Sequence, residues 1–128
     1  MKKESETGGT RPILLIEDNP KLNQMIHETI CDRFGDKVRV ISFFSGDSSV
    51  EYLEQNIDHV HLIVTCRLLH KGNGVELLKS CKKLSPTLPV ILHTALICSD
   101  KFRPFDICVE KQPGFSPLMR AISELLRI

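Results

Sequence analysis

The chain lacks a charge surplus, a long apolar run and a paired set of cysteines, and each absence removes a class of function. Its 17 lysines and arginines against 16 aspartates and glutamates leave a formal net charge of +1, too little for a general field that would gather nucleic acid or an anionic membrane surface. Any partner must be recognised locally. No segment approaches the roughly 18 consecutive apolar residues of a membrane span. The charged, glycine-bearing stretch at residues 1–10 has no apolar core of a secretory leader. Cys31, Cys66, Cys81, Cys98 and Cys108 are odd in number and fall mostly within apolar runs rather than in a framework of short loops. Reduced thiols in a cytoplasmic protein are therefore expected. His59 and His61 have no cysteine pair at zinc spacing and read as loop residues. Gly72-Asn73-Gly74 precedes a helix without the Walker pattern and reads as a turn.

What is present is the pattern of one doubly wound domain. A length of 128 residues suits a single core, with residues 1–11 expected as a flexible tail and 12–128 as the domain. Five short apolar runs are present, Ile13 to Ile16, Val38 to Phe44, Leu62 to Cys66, Pro89 to Thr94 and Asp106 to Val109, and most are Val/Ile/Leu-rich with little polar alternation, as in strands covered on both faces. Between them, Leu22, Met25, Ile26, Ile30 and Phe34 form a helical stripe opened by Pro20 and stopped by Gly35. Val50, Leu53 and Ile57 mark a second helix, and Leu77, Leu78, Cys81 and Leu84 a third. The group Lys79, Lys82 and Lys83 reads as the third helix's solvated face. A last helix, opened by Ser116-Pro117, carries Leu118, Met119, Ile122, Leu125 and Leu126. Strands alternating with helices imply an α/β fold with a parallel sheet. The fourth crossover, residues 95 to 105, is near the minimum length for such a connection and holds Pro104, so little helix is expected there.

In such a sheet the loops at the carboxyl ends of the strands converge at the switch of strand order. Glu17 and Asp18, Cys66, Thr94 and Lys111 all follow strand runs on that edge. From the residues alone, Glu17-Asp18 reads as either a polar turn capped by Asp18 or Asn19 or a pair of metal ligands, Thr94 as a strand end, and Lys111 as a surface lysine. Cys66 reads first as a small buried hydrophobe and second as a reactive thiol.

Four segments in this order, Ile13-Leu-Leu-Ile-Glu17-Asp18-Asn19-Pro20, Leu62-Ile-Val-Thr-Cys66 through Gly74-Val-Glu-Leu-Leu, Pro89-Val-Ile-Leu-His-Thr94-Ala95 and Val109-Glu-Lys111, resemble the receiver domain of two-component response regulators. The resemblance implies a flavodoxin-like sheet of order 2-1-3-4-5, here with a shortened fourth crossover. It also implies Mg²⁺ binding at the positions of Glu17 and Asp18, a phosphoacceptor aspartate at the position of Cys66, switch residues at Thr94 and Cys108, and a phosphate-pairing lysine at Lys111. Cysteine departs from that pattern. A carboxylate attacks phosphorus and ligates Mg²⁺ through oxygen, whereas a thiol is soft and a poor Mg²⁺ ligand. Gln112 also intervenes between Lys111 and the proline usual there.

The reading is a degenerate receiver: not an enzyme, without cofactor and with at most weak Mg²⁺ binding. It would act as an interaction module toward a histidine kinase, another regulator or a second copy of itself, with neither nucleic acid nor membrane as partner. Two alternatives stand beside it, a thiol redox sensor working through Cys66 and a receiver phosphorylated at Asp18. A resting pair between Lys111 and Asp18 is expected to satisfy the crevice.

Overall fold

The computed structural model describes residues 10–66, 79, 81–95 and 107–128. Five strands, β1 (Arg11–Ile16), β2 (Val38–Phe43), β3 (Leu62–Thr65), β4 (Val90–Thr94) and β5 (Ile107–Glu110), form one sheet in the order β2-β1-β3-β4-β5. All four pairings are parallel. The order places β1 and β3 side by side, so the loops that follow them open into a common crevice. Arg11 lies inside β1 rather than in a tail, paired with Val38, and Thr10 donates to the carbonyl of Asp36.

The apolar runs are uninterrupted because both sheet faces are buried. Ile13 and Leu15 join Ile26, Ile30, Phe34, Ile122 and Leu126 on one face, while Leu14 and Ile16 join Leu53, Ile63, Cys81 and Leu92 on the other. Alternate residues of one strand thus serve two cores. The first is covered by α1 (Pro20–Phe34) and the C-terminal helix (Ser116–Leu126), the second by α2 (Gly46–Asn56) and helical residues 81–84. Asn19 caps α1, its side chain accepting from the Leu22 N–H at 3.0 Å, which leaves Asp18 available to the crevice. Gly35 ends that helix.

Several details differ from the sequence pattern. Met25 is 46% exposed, and the buried stripe of α1 runs through Asn23, Ile26, Ile30 and Phe34. Leu84 and Phe44 are exposed, and β2 stops at Phe43. The C-terminal helix begins at Ser116 itself, preceded by Phe115 without a side-chain cap. Lys79 and Lys83 face solvent, but Lys82 folds back to donate to the Leu88 carbonyl. Leu77 and Leu78, the turn at 72–74, Asp106 and the fourth crossover beyond Ala95 lie outside the described residues. Cys108 is disulfide-bonded, whereas Cys31, Cys66 and Cys81 are thiols. The expectation of reduced thiols holds for these three and not for Cys108, which lies on the edge strand β5. Among the described residues no helix is long and apolar enough to cross a membrane.

Candidate functional site

The residues singled out at the strand ends meet because the hydrogen-bond ladders run one residue past the strands. The Glu17 N–H donates to the Phe43 carbonyl, the Cys66 N–H to the Ile16 carbonyl at 3.2 Å, and the Lys111 N–H to the Thr94 carbonyl at 2.6 Å. Glu17, Cys66 and Thr94 are buried. Gly114, with φ of 76°, turns the chain from Lys111 back toward the C-terminal helix. A side chain there would adopt the left-handed conformation at a cost of about 1 kcal/mol.

Asn23 is the residue the sequence pattern does not announce. It is 1% exposed, and its amide donates to the carbonyls of Glu17 and Phe43, both at 3.0 Å. These bonds tie the start of α1 to the ends of β1 and β2, so Asn23 holds the backbone that presents Glu17 and Asp18. Its only trace in the sequence is a polar residue spaced three, seven and eleven positions before the buried Ile26, Ile30 and Phe34.

The crevice holds an ion pair, an acidic side chain and a thiol. Lys111 Nζ lies 3.1 Å from Glu17 Oε1, and the Asn19 N–H donates to Glu17 Oε2 at 3.2 Å. The lysine therefore pairs with Glu17, not with Asp18. Cys66 Sγ lies 3.9 Å from Asp18 Oδ1, and ligand atoms of Glu17, Asp18 and Cys66 fall within 4.8 Å of one another. Burial pushes the Glu17 carboxyl up, opposed by the Lys111 charge and the Asn19 N–H. Burial, and secondarily the Glu17 charge, push the Cys66 thiol up to about 11. At neutral pH it is a protonated, weakly nucleophilic thiol.

This donor set does not fit Mg²⁺, the ion that the receiver resemblance implies. Mg²⁺ demands near-octahedral oxygen ligation. Here both Glu17 oxygens are engaged by protein donors, and the third position offers protonated sulfur. Asp18 alone is a poor hold for a strongly hydrated cation.

On the opposite face, His93 is buried at 3% exposure with no partner for Nδ1 among the described residues, its ring edge-on to Phe115 at 6.3 Å. Burial first, and the Lys111 charge second, lower its pKa from 6.5 to about 4. A folded value below the unfolded one means that neutral His93 contributes stability above pH ~6.5, lost as pH falls toward 4. The raised Glu17 contributes the opposite slope, so the test is a difference. Chemical denaturation at pH 7 and pH ~4.5 should cost the wild type on the order of 2 kcal/mol more than His93→Leu. Equal losses in the two proteins would show that His93 is not held neutral.

No protein-family model and no curated protein matches the sequence. Solved structures do match in fold. The non-phosphorylated HemR receiver domain of Leptospira biflexa superposes with a TM-score of 0.79 at 20% identity, over 91% of this chain and 94% of that one. The signal receiver domain of a putative LuxO repressor protein of Vibrio parahaemolyticus gives 0.78 at 17% identity, over 92% and 91%. TrrA of Thermotoga maritima, solved in complex with Mg²⁺ and BeF, gives 0.77 at 18% identity, over 90% and 98%. The chain therefore has the fold of response regulator receiver domains, including the 2-1-3-4-5 sheet expected from its sequence.

Proposed function

We propose that this chain is a receiver-type signalling domain of a two-component system that is not phosphorylated and works by binding a protein partner. The observation that carries the reading is Cys66, a buried thiol at the carboxyl end of β3 facing Glu17 and Asp18. Phosphoryl transfer to such a pocket needs an oxygen nucleophile and a divalent cation to offset charge on the transferring group. The protonated thiol removes the first, and the donor set disfavours the second. The domain keeps the shape of a receiver and loses its input chemistry. It is a binding module rather than an enzyme, and its partner class is a histidine kinase, another regulator or a second copy of the chain.

The redox-sensor alternative needs a thiol that is exposed and partly ionised at neutral pH, and Cys66 is 4% exposed with its pKa raised. The Asp18 alternative remains chemically testable, because Asp18 is half-buried beside the crevice. Intact mass after incubation with acetyl phosphate and Mg²⁺ should show no phosphoryl adduct. A hydroxylamine-labile gain of one phosphoryl mass, lost in Asp18→Asn, would establish acceptance at Asp18 and sink the non-phosphorylated reading.

A further inference from the structure

A receiver pocket with carboxylates at all three positions and one lysine carries a net charge of two negative, which a divalent cation balances. Here Glu17 and Asp18 supply two negative charges, Lys111 one positive, and the Cys66 thiol none. One negative charge remains, and a divalent cation would overshoot it. Geometry agrees with this balance. The Lys111 ammonium lies 3.1 Å from Glu17 Oε1, the Asn19 N–H takes Oε2, and Glu17 is 3% exposed. A carboxylate so buried needs a countercharge in place. The Lys111 backbone is fixed by its N–H bond to Thr94, so the cation is delivered by the sheet itself.

Building on the reading of a non-phosphorylated receiver, we infer that Lys111 is the resident cation of this pocket, replacing Mg²⁺ and making the folded state independent of divalent metal. Lys111 is thus a positioning residue: it holds Glu17 and, through the Asn19 bond, the turn that starts α1. The exchange depends on Cys66, because a carboxylate there would restore the demand for a divalent ion.

The test compares melting temperatures of the wild type, Lys111→Met and Lys111→Arg in EDTA and in millimolar MgCl₂. The wild type and Lys111→Arg should melt alike in both media. Lys111→Met should melt about 5 °C or more below wild type in EDTA and recover part of the loss in Mg²⁺. A second measurement on the wild type alone covers a variant that fails to fold. Paramagnetic Mn²⁺ should leave the amide signals of Glu17, Asp18 and Cys66 unbroadened. A Mg²⁺-dependent rise in the wild type, selective broadening by Mn²⁺, or a Lys111→Met protein that melts like wild type would overturn the inference. Metal-dependent stabilisation without a phosphoryl adduct would defeat this inference and leave the functional reading standing, whereas an adduct would defeat the functional reading itself.

Discussion

Cys66→Asp should melt about 5 °C or more below the wild type in EDTA and regain the loss in Mg²⁺. The substitution places a third carboxylate within reach of Glu17 and Asp18, whose ligand atoms already lie within 4.8 Å of Sγ. Like charges at that distance, in a pocket where Glu17 is nearly inaccessible to water, oppose one another's ionisation by one or more pKa units, a cost of roughly 1–3 kcal/mol. For a domain of this size that is a shift of several degrees, ~5 °C. Mg²⁺ reverses the sign, since three carboxylates meet its preference for oxygen. Equal responses of the two proteins to Mg²⁺ would mean that residue 66 does not face the acidic pair.

The second large effect belongs to Asn23. Truncation to alanine removes the donors to the Glu17 and Phe43 carbonyls and opens a small void in a fully buried place. The buried Glu17 carbonyl loses a donor, at a cost of about 1–3 kcal/mol, while the part-buried Phe43 carbonyl keeps the Glu17 N–H, so Asn23→Ala should lower the melting temperature by about 6 °C. Gln24→Ala, one residue on at the surface, should stay within about 0.5 kcal/mol of wild type. A loss from Asn23→Ala no larger than that of the surface control would remove Asn23 from the architecture of the site.

The residues that were legible in the sequence are those whose role follows from local pattern. Ile13 to Ile16 read as a strand because both of its faces are buried, and Pro20, Asn19 and Gly35 mark the bounds of α1 through capping chemistry that needs no tertiary information. Glu17, Asp18, Cys66, Thr94 and Lys111 could be placed on one edge because parallel strands deliver their carboxyl ends there. Which acid meets the lysine was not legible: Glu17 and Asp18 are adjacent, and a one-residue difference in the pleat decides which side chain turns inward. The Lys111–Glu17 pair replaced the expected Lys111–Asp18 pair for that reason. Asn23 was hidden because its partners, the carbonyls of Glu17 and Phe43, come together only when β1, β2 and α1 are assembled. Met25, apolar by type, lies off the stripe that buries Asn23, Ile26, Ile30 and Phe34 and is exposed.

That the pocket takes up neither phosphoryl group nor metal is the proposal drawn from the buried thiol of Cys66 beside Glu17 and Asp18. It is tested most directly by amide NMR spectra of the wild type with and without Mg²⁺ and beryllofluoride, a mimic of the phosphoryl group. Superposable spectra are expected. Shifts centred on Glu17, Asp18, Cys66, Thr94 and Lys111 would contradict it.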